Sequence, residues 1–274
     1  MHQSLQQHSD VFRKRLSAHY QLQRRLLGGD QVLFGTQKDF AKLNINSNVL
    51  EVGSGRQALT KLIKNHNPKS FVVVEYDKTL HSLNEKLFFN TNFKSINSDA
   101  LKFKEKKYFK NNLTIISNLP YNISSALLIK WIRFQGEYKS INKMILMFQK
   151  EMGERIIANK DTKKYGRLSI ISKAFFKINK IMNVNKKNFY PIPKVDSVVL
   201  EFDPLEKNKI PIKEVHKLEK ITNFFFNTRR KRNKKKIEKM FTNKQIEDHN
   251  LSKFFDYRPE NISEDEYYMM SKII

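Results

Sequence analysis

The stretch Glu51-Val52-Gly53-Ser54-Gly55-Arg56-Gln57-Ala58-Leu59-Thr60 decides the architecture. A short apolar run, Val49 to Val52, enters a pair of closely spaced glycines, and a helical pattern from Ala58 to Asn65 leaves them. Glycine lets the backbone turn tightly and approach a ligand closely, which a strand-to-helix turn over a binding crevice requires. Outward from this turn the same alternation recurs. Phe71 to Val74 is a second apolar run ending at Glu75, Leu113 to Ile116 a third ending at Ser117-Asn118, and Met144 to Phe148 a fourth. Helical patterns lie between them at Thr79 to Phe88 and Ser124 to Phe134. Short apolar runs separated by helices predict a parallel sheet covered on both faces, and such connections build a doubly wound, Rossmann-like α/β domain. A late strand with alternating character is predicted from Val195 to Phe202. After Asp203-Pro204 the character changes, and residues from about 211 to 274 read as Lys-rich helices.

Charge narrows the partners. Fifty-two Lys and Arg face 27 Asp and Glu, a formal net charge of +25. Nucleic acid is the expected partner, because each neutralised phosphate releases counterions. An anionic membrane surface and a Lys-rich compositional bias are the alternatives. The most concentrated segment is Arg229-Arg230-Lys231-Arg232-Asn233-Lys234-Lys235-Lys236, with seven cations in eight residues. It reads as a phosphate-binding run or as a solvated helix face. Aromatic residues make up 12% of the chain, which argues against a wholly disordered polymer. The absence of cysteine removes disulfides, thiolate nucleophiles and Cys-ligated metals, and fits a reducing, cytoplasmic setting. No run of about 18 apolar residues predicts a membrane span. The histidines form no metal-ligand spacing, so no metal is expected.

The first 40 residues differ from the rest. They contain no Asn, Ile or Glu and hold seven Gln, against four in the other 234 residues. An Arg-rich targeting peptide is one reading. A segment of other origin, such as a misassigned start or a shifted frame, is the other.

Five motifs carry chemistry. The glycine turn, Gly53-Ser54-Gly55, faces a pyrophosphate in dinucleotide enzymes and the amino-acid end and ribose of S-adenosylmethionine in methyltransferases. Glu75, with Tyr76 behind it, stands where a carboxylate accepts hydrogen bonds from ribose hydroxyls. Asp99, followed by Ala100, is placed to accept from a cofactor's adenine amino group, or to cap a turn. Ser117-Asn118-Leu119-Pro120-Tyr121-Asn122-Ile123-Ser124 is the most specific. An Asn-Leu-Pro-Tyr at a strand's carboxyl end is a signature of methylation on an amino group conjugated to a ring. That nitrogen's lone pair is delocalised and weakly nucleophilic. The Asn118 side-chain oxygen and the Leu119 carbonyl can accept its two N–H bonds, pull it toward tetrahedral geometry and free the lone pair. Pro120 stiffens the turn, and Tyr121 offers a face on which an extruded base stacks. In Asn188-Phe189-Tyr190-Pro191-Ile192-Pro193-Lys194-Val195-Asp196-Ser197, Phe189 is expected as the second face of that clamp, or as a core anchor.

These residues resemble the bacterial small-subunit rRNA adenine dimethyltransferases (the KsgA family), a branch of the rRNA adenine dimethylases. The resemblance runs through Glu51–Thr60, Glu75, Asp99, Asn118–Ser124, Phe148-Gln149-Lys150-Glu151, Tyr165-Gly166-Arg167-Leu168-Ser169 and Phe189–Ser197. It continues in Arg229-Arg230-Lys231 and Arg258-Pro259-Glu260-Asn261-Ile262-Ser263. It implies a class I methyltransferase domain over 41–204, a basic helical RNA-binding domain over 205–274, and an atypical segment over 1–40. It also implies S-adenosylmethionine as cofactor and a monomer that methylates two adjacent adenosines in a 3′-terminal hairpin during subunit assembly. Gly53, Ser54, Gly55, Glu75, Tyr76, Asp99, Ala100 and Asn118 would hold the cofactor, and Asn118, Leu119, Pro120, Tyr121 and Phe189 the adenine. Arg229, Arg230, Lys231, Arg232, Lys234, Lys235 and Lys236 would bind RNA. The family's Gly-Gln-Asn-Phe-Leu segment ahead of the glycine turn has no match in residues 20–40, where Leu27-Gly28-Gly29-Asp30 is a faint echo. Three rivals remain. A large-subunit rRNA methylase giving antibiotic resistance shares the Asn-Leu-Pro-Tyr core, a non-catalytic assembly factor would need only binding, and a DNA adenine methylase is the third.

Overall fold

The computed structural model describes residues 47–189 and 192–274. The atypical segment over 1–40 lies outside them. Seven strands form one sheet: β1 (Asn48–Val52), β2 (Ser70–Glu75), β3 (Lys94–Asn97), β4 (Leu113–Asn118), β5 (Ile141–Gln149), β6 (Phe176–Val184) and β7 (Ser197–Pro204). Their order is β3-β2-β1-β4-β5-β7-β6. The first five run parallel. β7 and β6 are antiparallel additions at one edge, so the sheet is mixed rather than wholly parallel.

Helices α1 (Ala58–Asn65) and α2 (Lys78–Leu87) carry the chain from β1 through β2 to β3, while α3 (Ser124–Tyr138) carries it from β4 to β5 in the opposite direction. Right-handed crossovers in opposite directions put these helices on opposite faces. The core reflects this. Val49, Phe71, Val73 and Ile116 join Leu59 and Ile63 in one cluster. Leu50, Val52, Val72, Val74 and Ile115 join Leu127, Leu128 and Trp131 in the other. Successive strand residues point to opposite faces, so a strand covered on both sides reads as an unbroken apolar run.

β3 and β6 escape that pattern. β3 is Lys-Ser-Ile-Asn at a sheet edge, and β6 intersperses Lys and Asn among its apolar residues at the other edge. The late strand begins at Ser197 rather than Val195. Asp196 is diverted into loop contacts: its Oδ1 accepts the Lys186 N–H and its carbonyl the Lys150 N–H, both at 2.9 Å.

Beyond β5 come α4 (Lys150–Ile157) and α5 (Arg167–Lys173), and after β7 come α6 (Val215–Asn227), α7 (Lys234–Met240), α8 (Asn243–Asp248) and α9 (Glu264–Ile273). The residues after Pro204 share one hydrophobic cluster with the sheet domain: Leu218, Ile221, Phe225 and Tyr268 pack into the same group as Ile170, Ile171 and Phe175. Buried Tyr268 donates its hydroxyl to the Ile170 carbonyl at 2.8 Å, and Arg133 of α3 pairs with Glu219 of α6 at 2.6 Å.

Candidate active site

Strand order reverses between β1 and β4, and a doubly wound sheet opens its ligand crevice at the carboxyl ends of such a pair. Gly53 and Gly55 leave β1 at φ of +75° and +52°, a region that side chains disfavour. The Gly53 N–H donates to Val74 O at 2.9 Å. A Cβ on Gly53 would stand 3.3 Å from Pro120, so glycine also lets the turn close against the β4 loop.

Behind the turn lies a buried polar network. The Ser54 hydroxyl donates to Glu75 Oε2 at 3.1 Å and accepts from Asn84 Nδ2 at 2.7 Å. Asn84 Oδ1 accepts from Gln57 Nε2 at 3.1 Å. The backbone N–H of Gly55 donates to Glu75 Oε2 at 3.3 Å and that of Asp77 to Oε1 at 3.1 Å. Glu75 is therefore fixed at the end of β2. A carboxylate accepts about four hydrogen bonds, so acceptor capacity remains for a ligand hydroxyl. Sequence reasoning missed Gln57 and Asn84. Both sit in a helix or its cap, where a polar side chain ordinarily faces solvent.

Tyr76 is exposed and, with Asn97, Ser98 and Asp99, lines a cleft of about 440 Å³ beside Glu75. Asp99 fills the turn role, since its Oδ1 accepts the Leu101 N–H at 2.8 Å, and it also faces this cleft. Ala100 does not line it. Its side chain is packed in the core and its carbonyl accepts from Lys130. At the end of β1, Glu51 is 1% exposed and its Oε2 has no hydrogen-bond partner among the described residues. Burial pushes its carboxyl up to about 8; the Thr60 hydroxyl, short of a well-formed hydrogen bond, offsets part of this, and the nearby Glu75 adds to it.

The β4 loop is pinned on several sides. Ser117 Oγ donates to Val52 O at 2.6 Å, joining the ends of β4 and β1. Leu119 is buried, and Pro120 meets the glycine turn. The Tyr121 hydroxyl bonds Ser197 Oγ at 2.9 Å, and Ser124 Oγ donates to Tyr121 O at 2.9 Å. Asn118, between these anchors, keeps an exposed side chain. Phe189 is half-buried against the cluster on the α1 and α2 face, so the core-anchor reading holds in part. Tyr190 and Pro191 lie outside the described residues. Ser197 and Asp196, quoted in the sequence without a role, turn out to tether Tyr121 and the Phe189 loop.

The basic run divides. Arg230, Lys231, Lys234 and Lys235 are exposed. Arg232 is exposed but paired with Asp256 at 2.6 Å, while Arg229 donates to Thr162 O at 2.9 Å and pairs with Glu260 at 3.4 Å. Lys236 does not belong with them. It is buried, and its ammonium donates to the carbonyls of Phe225, Thr228 and Lys231 and to Asn233 Oδ1. Lysines near a helix end often satisfy its last carbonyls in this way, and Lys236 does so for α6. Burial pulls its pKa down to about 8.

A sheet of this order with a glycine turn at its switch point defines the Rossmann-like class I methyltransferase fold. The model of the family described as ribosomal RNA adenine dimethylase matches residues 36–274, and the chain belongs to that family. It is similar to the ribosomal RNA small subunit methyltransferase A of Pelagibacter ubique, 39% identical over 227 residues that cover 83% of this chain and 86% of the relative. The enzyme of the same name from the Wolbachia of Brugia malayi is 33% identical over 242 residues, 88% of each chain. In fold the chain is similar to a dimethyladenosine transferase from Plasmodium falciparum, with a TM-score of 0.69, 24% identity, and coverage of 88% of this chain and 98% of that one. The 23S rRNA methyltransferase ErmE superposes with a TM-score of 0.62 at 20% identity, over 85% of this chain and 93% of that one. Among the described residues no helix is long and apolar enough to cross a membrane, and no three acidic or His side chains are grouped to hold a metal ion.

Proposed function

We propose that this chain uses S-adenosylmethionine to dimethylate the N6 amino groups of two adjacent adenosines in the 3′-terminal hairpin of small-subunit rRNA, as part of subunit maturation. The observation that carries the reading is the Asn118-Leu119-Pro120-Tyr121 loop, pinned at the sheet's switch point with Asn118 left exposed. Relatives named for the small subunit favour that substrate over large-subunit rRNA.

The residues at the crevice fit this cofactor. Glycines at positive φ allow close backbone approach, Glu75 is held as an acceptor, and the buried Glu51 oxygen without a partner among the described residues leaves a polar group for the ligand. Gly53, Ser54, Gly55, Glu75, Tyr76 and Asp99 would hold the cofactor, which when bound supplies an activated methyl group. The protein's part is to prepare the nitrogen. Asn118 Oδ1 and the Leu119 carbonyl accept the amino N–H bonds and localise the lone pair. Tyr121, fixed by Ser197, and Phe189 hold the extruded base between them. A strong general base is unnecessary, because the nitrogen becomes acidic once methylated. Arg230, Lys231, Lys234 and Lys235 neutralise phosphates of the bound rRNA.

The test is methyl transfer from labelled S-adenosylmethionine to unmethylated small subunits, large subunits and duplex DNA, by wild type and Asn118→Ala. Label is expected on small subunits, with the variant slower by about 100-fold or more, as for loss of one preorganised polar contact to the reacting group. Label confined to large subunits or DNA would transfer the reading to a rival. Small-subunit binding without any label would favour the assembly factor.

A further inference from the structure

A cleft of about 1230 Å³ lies on the α3 face; none of residues 229–236 lines it, and no residue of the proposed chemistry is among its walls. One wall is the segment after Asp99. Its side chains alternate: Phe103 and Glu105 are buried, while Lys102, Lys104 and Lys106 are exposed. The inward residues are clamped. Trp131 Nε1 donates to Glu105 Oε1 at 2.8 Å, Lys130 pairs with the same carboxylate at 2.8 Å, and Lys130 also donates to Ala100 O at 2.8 Å. A partly buried ion pair is weak evidence for stability, and the hydrogen bonds from Trp131 and Lys130 are what hold the segment's inward side. The segment thus presents three lysines on one rim.

Part of the rim's charge is unpaired. Lys130 and Arg133 in the cleft are matched by Glu105 and Glu219. Lys102, Lys104 and Arg167 make no ion pair among the described residues, and Lys106 Nζ sits 4.6 Å from the Tyr138 ring centroid. The remaining acid in the wall, Glu137, stands near the carboxyl end of α3, far from the β4 loop. At its other end the cleft begins at Leu101 and Ser125, immediately beyond Asp99 and the Asn118–Ser124 loop. The cleft thus borders the segments proposed to hold the cofactor and the base.

Resting on the proposed RNA methylation, we infer that Lys102, Lys104, Lys106 and Arg167 form a second phosphate rail, which grips the rRNA backbone flanking the target adenosines. The basic run near Arg229 grips a separate part of the same RNA.

The experiment compares the full chain with Lys102→Gln/Lys104→Gln/Lys106→Gln and with a control, Lys61→Gln/Lys69→Gln/Lys86→Gln, whose lysines belong to the α1 and α2 side of the sheet. Affinity for an rRNA fragment containing the 3′ hairpin is measured across salt concentrations, alongside cofactor binding and thermal midpoint. Three lost phosphate contacts should flatten the slope of log affinity against log salt by about 2 and weaken binding by roughly 10- to 100-fold at moderate salt. The control should move far less, and cofactor binding and midpoint should hold in both. Equal loss in the two triple variants, no loss in either, or a wild type without salt-dependent binding would each overturn the rail. A wild type that shows the rail's salt effect but methylates no small subunit would instead refute the proposed reaction and leave the rail standing.

Discussion

Replacing Glu51 by glutamine should change how stability depends on pH more than it changes stability itself. The carboxyl is 1% exposed, and its folded pKa is pushed from 4.5 up to about 8 by burial, with Glu75 adding to the shift. Below 4.5 the group is protonated in both states and costs nothing. As pH rises the unfolded chain ionises first, while the folded chain keeps its proton, so the unfolded state binds fewer protons and stability falls. The fall continues until the folded group also titrates near 8. A gap of about 3.5 pH units at about 1.4 kcal/mol each puts the full penalty on the order of 5 kcal/mol, with roughly 3 kcal/mol reached at neutral pH. Glutamine cannot ionise and carries none of this slope, although its buried amide costs about 1–3 kcal/mol at every pH if it finds no partner. Urea denaturation of both proteins from pH 5 to 9 reads the difference. The gap between variant and wild type should move by several kcal/mol in the variant's favour between pH 5 and 8, then level off. A gap that stays constant across that range would refute the reasoning.

Other substitutions test the site's geometry. Ser197→Ala removes the tether on the Tyr121 hydroxyl, and at about 1 kcal/mol for such a hydrogen bond should lower kcat/KM for RNA by roughly fivefold while leaving cofactor affinity unchanged in equilibrium dialysis. Gly53→Ala forces a side chain to φ +75° and against Pro120, so the midpoint of thermal unfolding should fall with a loss of about 1–2 kcal/mol, and cofactor affinity should fall with it. Lys236→Met leaves the carbonyls at the end of α6 without their donor. It should cost about 1–3 kcal/mol in denaturant titration and leave the salt dependence of RNA binding unmoved, whereas Lys231→Gln/Lys235→Gln should reverse that pattern.

Much of the fold was legible because a sheet covered on both faces writes itself as apolar runs. Val49–Val52, Phe71–Val74, Leu113–Ile116 and Met144–Phe148 all lie within observed strands. Edge strands carry no such mark. β3 has a single apolar residue, and β6 mixes Lys and Asn with its apolar positions because neighbours cover less of it. The turn glycines, Glu75 and the Asn118 loop could be located because each needs a particular residue type at a strand's end. Asn84 and Gln57 could not, since a polar helical residue looks the same in sequence whether it faces water or a buried serine. Lys236 was hidden for the opposite reason. Within seven cations, nothing local distinguishes the one that folds back onto α6 from those that face solvent.

The proposed reaction requires this loop to present an adenine amino group for two successive methyl transfers. Mass spectrometry of the 3′-terminal hairpin tests it most directly, on fragments cut from unmethylated small subunits after incubation with the protein and S-adenosylmethionine. Two methyl groups are expected on each of two adjacent adenosines and none elsewhere. A hairpin of unchanged mass, or methyl groups on a base outside it, would contradict the proposed reaction.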